Sequence, residues 1–304
     1  MKLKTKDLLT LSELTPKEFV ELINYSTKLK KELKKSGNKP ILKNKTLTMI
    51  FQKPSTRTRV SFEIGMYQLG GHTINLSSND MQLSRGESIE DTAKTLSRYT
   101  DCIMARVYEH ELLDKLSEYA NVPVINGLSD SFHPCQILAD FMTIKEKKGK
   151  LKGLKIAWIG DGNNVCNSMI YGAALSGIDM SIATPKGFAP NKTVVKESKK
   201  SANIELTTDP FIATKNADVV VTDTHSSIHN SDPKRIKKFL PKYQVNSKLM
   251  STAKKNAIFM HCLPAKREQE VTSSVIDGSQ SVVWDEAENR LHSQKALLVA
   301  LIRA

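Results

Sequence analysis

Residues 51–63, FQKPSTRTRVSFE, carry the densest set of hydrogen-bond donors in this chain. Five consecutive members stand just before apolar residues at helical spacing: Ser55, Thr56, Arg57, Thr58 and Arg59. Small hydroxyl side chains suit a helix N-terminus, where backbone N–H groups lack partners and the helix dipole is positive. Two arginines add the donors that a phosphate dianion needs, and a helix cap requires none. The string therefore favours anion binding over an ordinary cap with surface arginines.

Four further polar clusters contain groups that could polarise a carbonyl. They are Arg106 at the end of CIMAR, His133-Pro134-Cys135-Gln136, His261-Cys262-Leu263-Pro264, and Arg290 in DEAENR. A histidine that titrates near pH 7 can donate to a developing oxyanion. Each cluster also has a structural interpretation: a capping histidine, a buried cysteine or an arginine on a helix surface.

Two patterns that suggest cofactors have simpler explanations. Residues 160–164, GDGNN, resemble the start of a dinucleotide fingerprint, but the third glycine is missing, and Val165 and Cys166 stand where close helix packing is expected. A polar turn that binds a substrate is the alternative. His225 and His229 are four residues apart, as in some zinc sites, yet no glutamate follows the first histidine. We expect no nicotinamide cofactor and no metal.

Length and composition indicate a two-domain enzyme-sized protein. The chain has 304 residues, which is long for one compact core. No apolar run approaches the roughly 20 residues that span a bilayer, and the start MKLKTKDLLTLSEL lacks a signal-peptide core. The four cysteines lie far apart without a CxxC pair, which is typical of a reducing compartment. We expect a cytoplasmic protein with no membrane partner.

The formal net charge of +13 raises the question of nucleic-acid binding. The lysine runs at 28–35 and 145–152 read as solvated helix faces and a linker. No aromatic residues are interleaved with the basic ones, and no nucleic-acid motif is present. We therefore expect no nucleic-acid partner, and attribute the charge to attraction of small anionic substrates.

Strand and helix patterns alternate along the chain. A first helix is predicted over 11–35, with Thr15 as its cap and Pro16 in its first turn. Strands are predicted at 46–51, 72–76, 102–106 and 122–125, then at 155–159, 179–184, 218–222, 257–261 and 281–284, before a helix from about 288 to 302. A Lys/Gly-rich link at 146–153 separates the two series. The prediction is an α/β fold with two doubly wound parallel-sheet domains of similar size, joined by helices that include a C-terminal helix.

Taken together, the motifs resemble the aspartate/ornithine carbamoyltransferase superfamily. STRTR, MAR, HPxQ, DGNN, HCLP and DEAENR occur in its order, and HPCQILAD, GDGNNVCNS and HCLPAKR resemble the ornithine branch. The resemblance runs from about residue 9 to residue 301. It implies a carbamoyl-phosphate-binding domain at 1–149 and an ornithine-binding domain at 150–304, with the C-terminal helix packing back on the first. It also implies a homotrimer with shared active sites and no cofactor.

The resemblance implies a direct transfer mechanism. A neutral amine attacks the carbonyl carbon of carbamoyl phosphate, and phosphate leaves a tetrahedral intermediate without a covalent enzyme intermediate. Carbamoyl phosphate would contact Ser55, Thr56, Arg57, Thr58, Gln82, Arg106, His133, Gln136, Cys262, Leu263 and Arg290. Of these, the implied catalytic residues are Arg57, Thr58, Arg106, His133 and Cys262, the last as a contact group. Gln82 would reach into a neighbouring subunit's site.

The amine-binding side departs from the family pattern. The ornithine branch carries D-x-W-x-S-M-G where this chain has residues 223–229, DTHSSIH. The resemblance implies that ornithine contacts Asn164, Asp223, Ser227 and Ile228, the last through its backbone. L-Ornithine, giving L-citrulline, is the favoured substrate because all three polar substrate contacts, Asn164, Asp223 and Ser227, are kept, and Asp223 can hold an α-ammonium. The alternatives are putrescine or an N-acylated ornithine, or a relative that binds ligand without catalysis. Glu268 also stands where a glycine is usual.

Overall fold

The computed structural model describes residues 1–78, 81–225 and 233–303, and the chain divides into two compact units. The first unit comprises Met1–Met142 with Glu288–Ala304, and the second comprises Thr143–Ala287. Each unit is built on one sheet in which every strand pairing is parallel. The predicted fold class is confirmed.

Helices and strands alternate along most of the chain. The described helices are α1 (Pro16–Ser36), α2 (Thr56–Gln68), α3 (Ile89–Leu96), α4 (His110–Tyr119), α5 (Pro134–Lys148), α6 (Asn164–Ser176), α7 (Lys192–Ser198), α8 (Pro210–Thr214), α9 (Pro233–Ile236), α10 (Ser247–Met250), α11 (Ser273–Ile276) and α12 (Val283–Ile302). The described strands are β1 (Thr46–Phe51), β2 (His72–Ser77), β3 (Cys102–Arg106), β4 (Val124–Leu128), β5 (Lys155–Ile159), β6 (Asp179–Ala183), β7 (Ile204–Thr207), β8 (Val219–Thr222) and β9 (Ile258–Met260). A 3-10 turn covers Gln82–Arg85. None of these helices is long and apolar enough to cross a membrane.

Local capping chemistry sets several helix starts. Thr15 caps α1 through a reciprocal capping box with Glu18, and Pro16 opens the helix, as predicted. Ser88 accepts a hydrogen bond from the Asp91 N–H at the start of α3. Each such cap is worth about 1 kcal/mol.

The strand order places loops at one edge of each sheet. The first sheet has the order β2-β1-β3-β4 and the second has β7-β6-β5-β8-β9. The direction in which successive strands are added to the sheet reverses once in each unit. The reversal lies between β1 and β3 in the first sheet and between β5 and β8 in the second. In the first sheet Phe51 lies opposite both Ser77 and Arg106, so the carboxyl ends are aligned. Ligands of such folds bind outside the carboxyl ends at this reversal point.

Apolar side chains of the strands and of the helices covering them form each core. In the first unit one cluster contains Ile50, Ile103, Ala105, Leu113, Leu116 and Val124. In the second a cluster contains Ile159, Val220, Phe239, Val245, Phe259 and Val271. These cores support the strand ends from which the polar clusters project.

Two sequence predictions were wrong in the second series. The strand predicted at 281–284 is absent: Ser281 forms only an isolated bridge to Phe259, and α12 begins at Val283 rather than near 288. Val282 and Val283, at the start of the helix, are both buried, and such a short apolar pair is also typical of a strand. Strand β7 was missed because Ile204 is its one fully buried member, which leaves a weak apolar signal.

Candidate active site

The start of α2 separates the two arginines of STRTR. Ser55 is the N-cap residue and accepts a hydrogen bond from the Thr58 N–H at 3.3 Å. Thr58 is 1% exposed, and Arg57 is half-buried. Arg59 is exposed and donates to Glu63 one turn further along the helix at 3.1 Å. Only Arg57 is therefore positioned to serve an anion at the helix N-terminus.

Arg290 on α12 joins this cluster from a distant part of the chain. Its Nη2 donates to Thr58 Oγ1 at 3.1 Å and its Nη1 donates to Gln136 Oε1 at 2.7 Å. Gln136 in turn donates from Nε2 to Asp140 Oδ1 at 2.8 Å. Arg290 is 3% exposed as a residue, so its charge and orientation are held in a buried network. The structure thus brings together three of the predicted contact residues.

His133 and Arg106 belong to the same first unit. His133 is buried, and desolvation, followed by the charges of Arg290, Arg106 and Arg57, holds its pKa well below the usual range. It is therefore neutral at pH 7 and carries one ring N–H to donate. Arg106 ends β3, where the pairing register with β4 shifts between Ala105 and Arg106. Such an irregularity re-aims a side chain at a sheet edge.

Lys53 is a candidate site residue that the sequence reasoning did not assign. Its side chain is 1% exposed, and Nζ lies 4.2 Å from the ring centroid of Tyr108. Burial, followed by the charge of Arg106, lowers the pKa of Lys53 to about 8, and Asp130 opposes the shift. The available signal was its place two residues before Ser55. Gln82, by contrast, lies exposed in its 3-10 turn, and its predicted role stays a prediction.

In the second unit, Asp223 is the central acidic group. It follows β8 and accepts hydrogen bonds from Asn163 Nδ2 at 2.7 Å and from Cys262 Sγ at 3.2 Å. Asn163 also caps α6, whose first residue is the predicted ligand Asn164. The structure therefore brings the turn after β5 and the end of β8 together, as the strand reversal requires.

His261, Cys262 and Leu263 follow β9 in a tight arrangement. The Leu263 N–H donates to His261 Nδ1 at 2.9 Å, so the ring proton lies on Nε2, which donates to Glu270 Oε1 at 3.2 Å. Leu263 has a φ of 57°, a left-handed conformation often found at functional sites. Among the described residues, Asp223, His261 and Cys262 have ligand atoms within 4.8 Å of one another. Both ring nitrogens of His261 are already hydrogen-bonded, so metal binding there would break those bonds.

Packing accounts for both glycines of the GDGNN turn. Gly160 has a φ of 125°, and a Cβ there would lie 2.9 Å from Nε2 of His225. A Cβ on Gly162 would lie 2.3 Å from the backbone nitrogen of Pro190. Both positions exclude a side chain for reasons that need no bound nucleotide.

His225 stands where the ornithine branch has tryptophan, and it keeps an aromatic packing role. Its ring stacks on Phe239 with the centroids 4.5 Å apart and the planes at 17°. The side chain is 1% exposed, and burial lowers the pKa of His225 to about 4. The predicted contacts Ser227 and Ile228 lie outside the described residues and stay predictions, as does the interpretation of His229.

Acidification is expected to destabilise the protein through buried neutral histidines. Burial lowers the pKa of His225 and of His292 to about 4 in each case. Because the unfolded pKa is near 6.5, each contribution is fully present above pH 6.5 and is lost as the pH falls towards 4. Each histidine then costs about 3 kcal/mol at pH 4.

The free energy of unfolding is measured by urea denaturation at several pH values between 7 and 4. His225→Phe keeps a ring on Phe239 and is expected to flatten the pH dependence relative to the unmodified chain. His72→Gln, at an exposed position, is the control and should leave the dependence unchanged. An unaltered slope in His225→Phe would contradict the prediction.

The backbone at Glu268 explains why the family favours glycine there. Glu268 has a φ of 63°, a conformation that glycine adopts at little cost. Its carboxylate accepts from the Ser273 N–H at 2.8 Å, at the first residue of α11. These hydrogen bonds lower the pKa of Glu268. In this chain Glu268 adopts the left-handed backbone conformation without the freedom of glycine, and its carboxylate gains a hydrogen bond at the start of α11.

The two sets of residues are typical of a transferase that uses a phosphorylated donor and an amine acceptor. A buried guanidinium network meets a helix N-terminus in one unit. A carboxylate held by amide and thiol donors lies in the other. Thr58 follows β1, and Asn163 and Asp223 follow β5 and β8, so part of each set lies beyond the carboxyl ends of strands at a reversal point.

Comparison with known proteins places the chain within one family. Residues 6–146 match the family described as aspartate/ornithine carbamoyltransferase, carbamoyl-P binding domain, and residues 152–301 match its Asp/Orn binding domain. The ornithine carbamoyltransferase of Cenarchaeum symbiosum is 62% identical over 301 residues, covering 99% of each chain. That of Carboxydothermus hydrogenoformans is 53% identical, covering 98% of this chain and 97% of its own. The solved ornithine carbamoyltransferase from Pyrococcus furiosus aligns with a TM-score of 0.96 at 49% identity, covering 100% of this chain and 99% of its own. The chain belongs to the aspartate/ornithine carbamoyltransferase family.

Proposed function

We propose that the protein transfers the carbamoyl group of carbamoyl phosphate to the side-chain amine of L-ornithine, giving L-citrulline and phosphate. The observation that carries the proposal is the buried Arg290 network, which holds Thr58 and Gln136 at the N-terminus of α2. The match of each half of the chain to a carbamoyltransferase domain supports it, as do full-length relatives named ornithine carbamoyltransferase.

The groups of the first unit have the chemistry to bind and activate carbamoyl phosphate. Ser55, Thr56, Arg57 and Thr58 at the helix N-terminus bind the phosphate together with Arg106. Thr58, Arg106 and neutral His133 donate to the carbonyl oxygen, whose negative charge grows as the amine attacks. Donors that are oriented in advance stabilise that charge without reorganisation, so they accelerate the step rather than merely tighten binding.

The remaining contacts fix the carbamoyl amide. Gln136, Arg290, Cys262 and Leu263 are the residues assigned to this role. Cys262 acts as a contact group because its thiol already donates to Asp223 and the attacking nucleophile is the substrate amine. The neutral amine adds to the carbonyl carbon and forms the C–N bond. The tetrahedral intermediate then collapses as the C–O bond to phosphate breaks, and the proton lost from nitrogen leaves with the phosphate.

Ornithine binding is assigned to the second unit. Asp223 holds the α-ammonium, and Asn164 with Ser227 and Ile228 holds the carboxylate end. A carboxylate partner disfavours an N-acylated ornithine, whose amide carries no charge. Putrescine lacks only the carboxylate, so its exclusion depends on Asn164 and on residues 227 and 228.

A homotrimer with shared active sites is part of the proposal. Val60, Ile64 and Tyr67 recur at helical spacing on α2, and each is more than 40% exposed. Ile74, on edge strand β2, is also exposed. Exposed apolar residues in such a row favour contact with another subunit, into whose site Gln82 would reach. The four free cysteines fit a cytoplasmic enzyme.

The test is phosphate release and ureido-product formation with ornithine, putrescine, N-acetylornithine, lysine and aspartate offered separately. Citrulline formation with ornithine alone is the expected result. Preferred turnover of putrescine or N-acetylornithine would retain the reaction class and overturn the substrate. Binding of carbamoyl phosphate without turnover of any amine would identify a non-catalytic relative.

A further inference from the structure

Arg235 on α9 connects two separate segments of the second unit. Its guanidinium forms an ion pair with Asp161, in which Nη2 faces Oδ2, and its Nε donates to the backbone carbonyl of His225 at 3.0 Å. The two charged side chains are only 16% and 14% exposed. The guanidinium also lies over the ring of Phe188, 4.7 Å from its centroid. Arg235 is therefore bonded on more than one edge and stacked on its face.

Both segments that Arg235 contacts carry amine-binding residues. Asp161 lies in the turn between β5 and α6, two residues before Asn163, which donates to Asp223. His225 comes two residues after Asp223 on the chain leaving β8. Arg235 thus holds the turn that presents Asn164 and the segment that presents Asp223.

Packing around the pair leaves little room for either segment to shift. The His225 ring stacks on Phe239 and closes over Gly160, where even a Cβ would be 2.9 Å from Nε2. The backbone carbonyl of Asp161 accepts from the indole N–H of Trp158 at 2.9 Å. The carboxylate depends on its partner, because burial raises the pKa of Asp161 to about 6 while the charge of Arg235 opposes the shift.

We propose that Arg235, through Asp161 and the His225 carbonyl, is a positioning residue that sets the spacing between Asn164 and Asp223 for the amine substrate. It acts through these groups and touches no substrate. The identity of the amine rests on the function proposed above. The contacts of Arg235 with Asp161 and with the His225 carbonyl, which we call the clamp, do not. A small displacement of a binding group costs up to about 100-fold in rate even when the altered residue is remote from the chemistry.

The experiment compares Arg235→Met, Asp161→Asn and the double variant, with steady-state KM determined separately for ornithine and carbamoyl phosphate. Each variant is expected to raise the ornithine KM by about 10-fold to 100-fold and to change the carbamoyl phosphate KM by less than about twofold. Arg235→Lys retains the charge without the fork of donors, and an intermediate ornithine KM is expected. Arg267→Met, at the exposed pair with Asp277, is the matched control and should behave as the unmodified enzyme.

The double variant separates positioning from stability. Removing one buried charge leaves the other unpaired, so each single variant should melt at a lower temperature than the double variant. If the double variant recovers its melting temperature while its ornithine KM stays raised, the clamp is supported. Recovery of both quantities, or an equal rise in the carbamoyl phosphate KM, would overturn it.

A wrong substrate assignment is recognised from the activity of the unmodified enzyme, separately from the effect of the variants. If the unmodified enzyme turns over another amine, the same KM comparison is made with that amine. If it turns over none, the ornithine Kd from calorimetry replaces KM, and equal Kd values in Arg235→Met and Arg267→Met would overturn the clamp.

Discussion

Arg57→Ala is expected to lower kcat/KM for carbamoyl phosphate by about 10²–10³-fold. Arg57 is the half-buried arginine at the N-terminus of α2, beside the Ser55 cap and the Thr58–Arg290 contact. Its charge is placed to meet the phosphate. After burial, Arg290 and Arg106, it also helps to keep the pKa of His133 below the usual range. Because the fold does not depend on this side chain, the melting temperature should change little.

Arg59→Ala supplies the matched control within the same motif. Arg59 is exposed and its guanidinium is directed to Glu63 along the helix surface. Exposed pairs of this kind contribute well under about 1 kcal/mol, so activity and stability should both stay close to those of the unmodified enzyme. Equal losses in Arg57→Ala and Arg59→Ala would contradict the assignment of the phosphate site.

Asp223→Asn is expected to raise the ornithine KM by about 10²–10³-fold, because truncating a buried charged partner costs about 2–5 kcal/mol. The substitution keeps the size of the side chain and removes the charge that meets the α-ammonium. It also disturbs the hydrogen bonds from Asn163 and Cys262. The carbamoyl phosphate Kd, measured by calorimetry without amine, should be nearly unchanged.

The control for that variant is Asp179→Asn. Asp179 is an exposed carboxylate at the first residue of β6, at the opposite end of the same parallel sheet. Its loss changes the net charge equally without touching the amine-binding residues. An ornithine KM that rises equally in both variants would mean that long-range charge, rather than Asp223 itself, controls amine binding.

Local chemistry made much of the fold predictable. The strand TLTMIF, the Ser55 cap and the Ser88 cap depend on residues within one or two turns of each other, so short patterns carry the information. The same logic failed at Val282 and Val283, two buried valines of which the second is already the first residue of α12. It also failed at β7, whose single fully buried residue gives almost no signal.

Long-range contacts at the site were beyond sequence reasoning. Arg290 and Thr58 are 232 positions apart, and Arg235 and Asp161 are 74 apart. The motif resemblance identified Arg290, Thr58 and Gln136 but not the hydrogen bonds between them, and it gave no indication of Arg235. Lys53 was visible beside STRTR, but its contact with the Tyr108 ring and the effect of the Arg106 charge on its pKa come from residues after and on another strand. Packing between distant segments, rather than local composition, determines these contacts.

The discontinuity of the first unit bears on how the protein is made. Chains emerge from the ribosome in order, and domains generally fold in that order. Here the first unit needs residues from Glu288 onward, which are translated only after all of Thr143–Ala287. Until then Thr58 and Gln136 have no Arg290 to meet, and the apolar surface that Leu297 and Leu298 cover in the finished unit stays open. A nascent chain therefore completes its first-translated unit late, and stalled synthesis before residue 290 leaves a product that lacks a buried cation of the phosphate-side network.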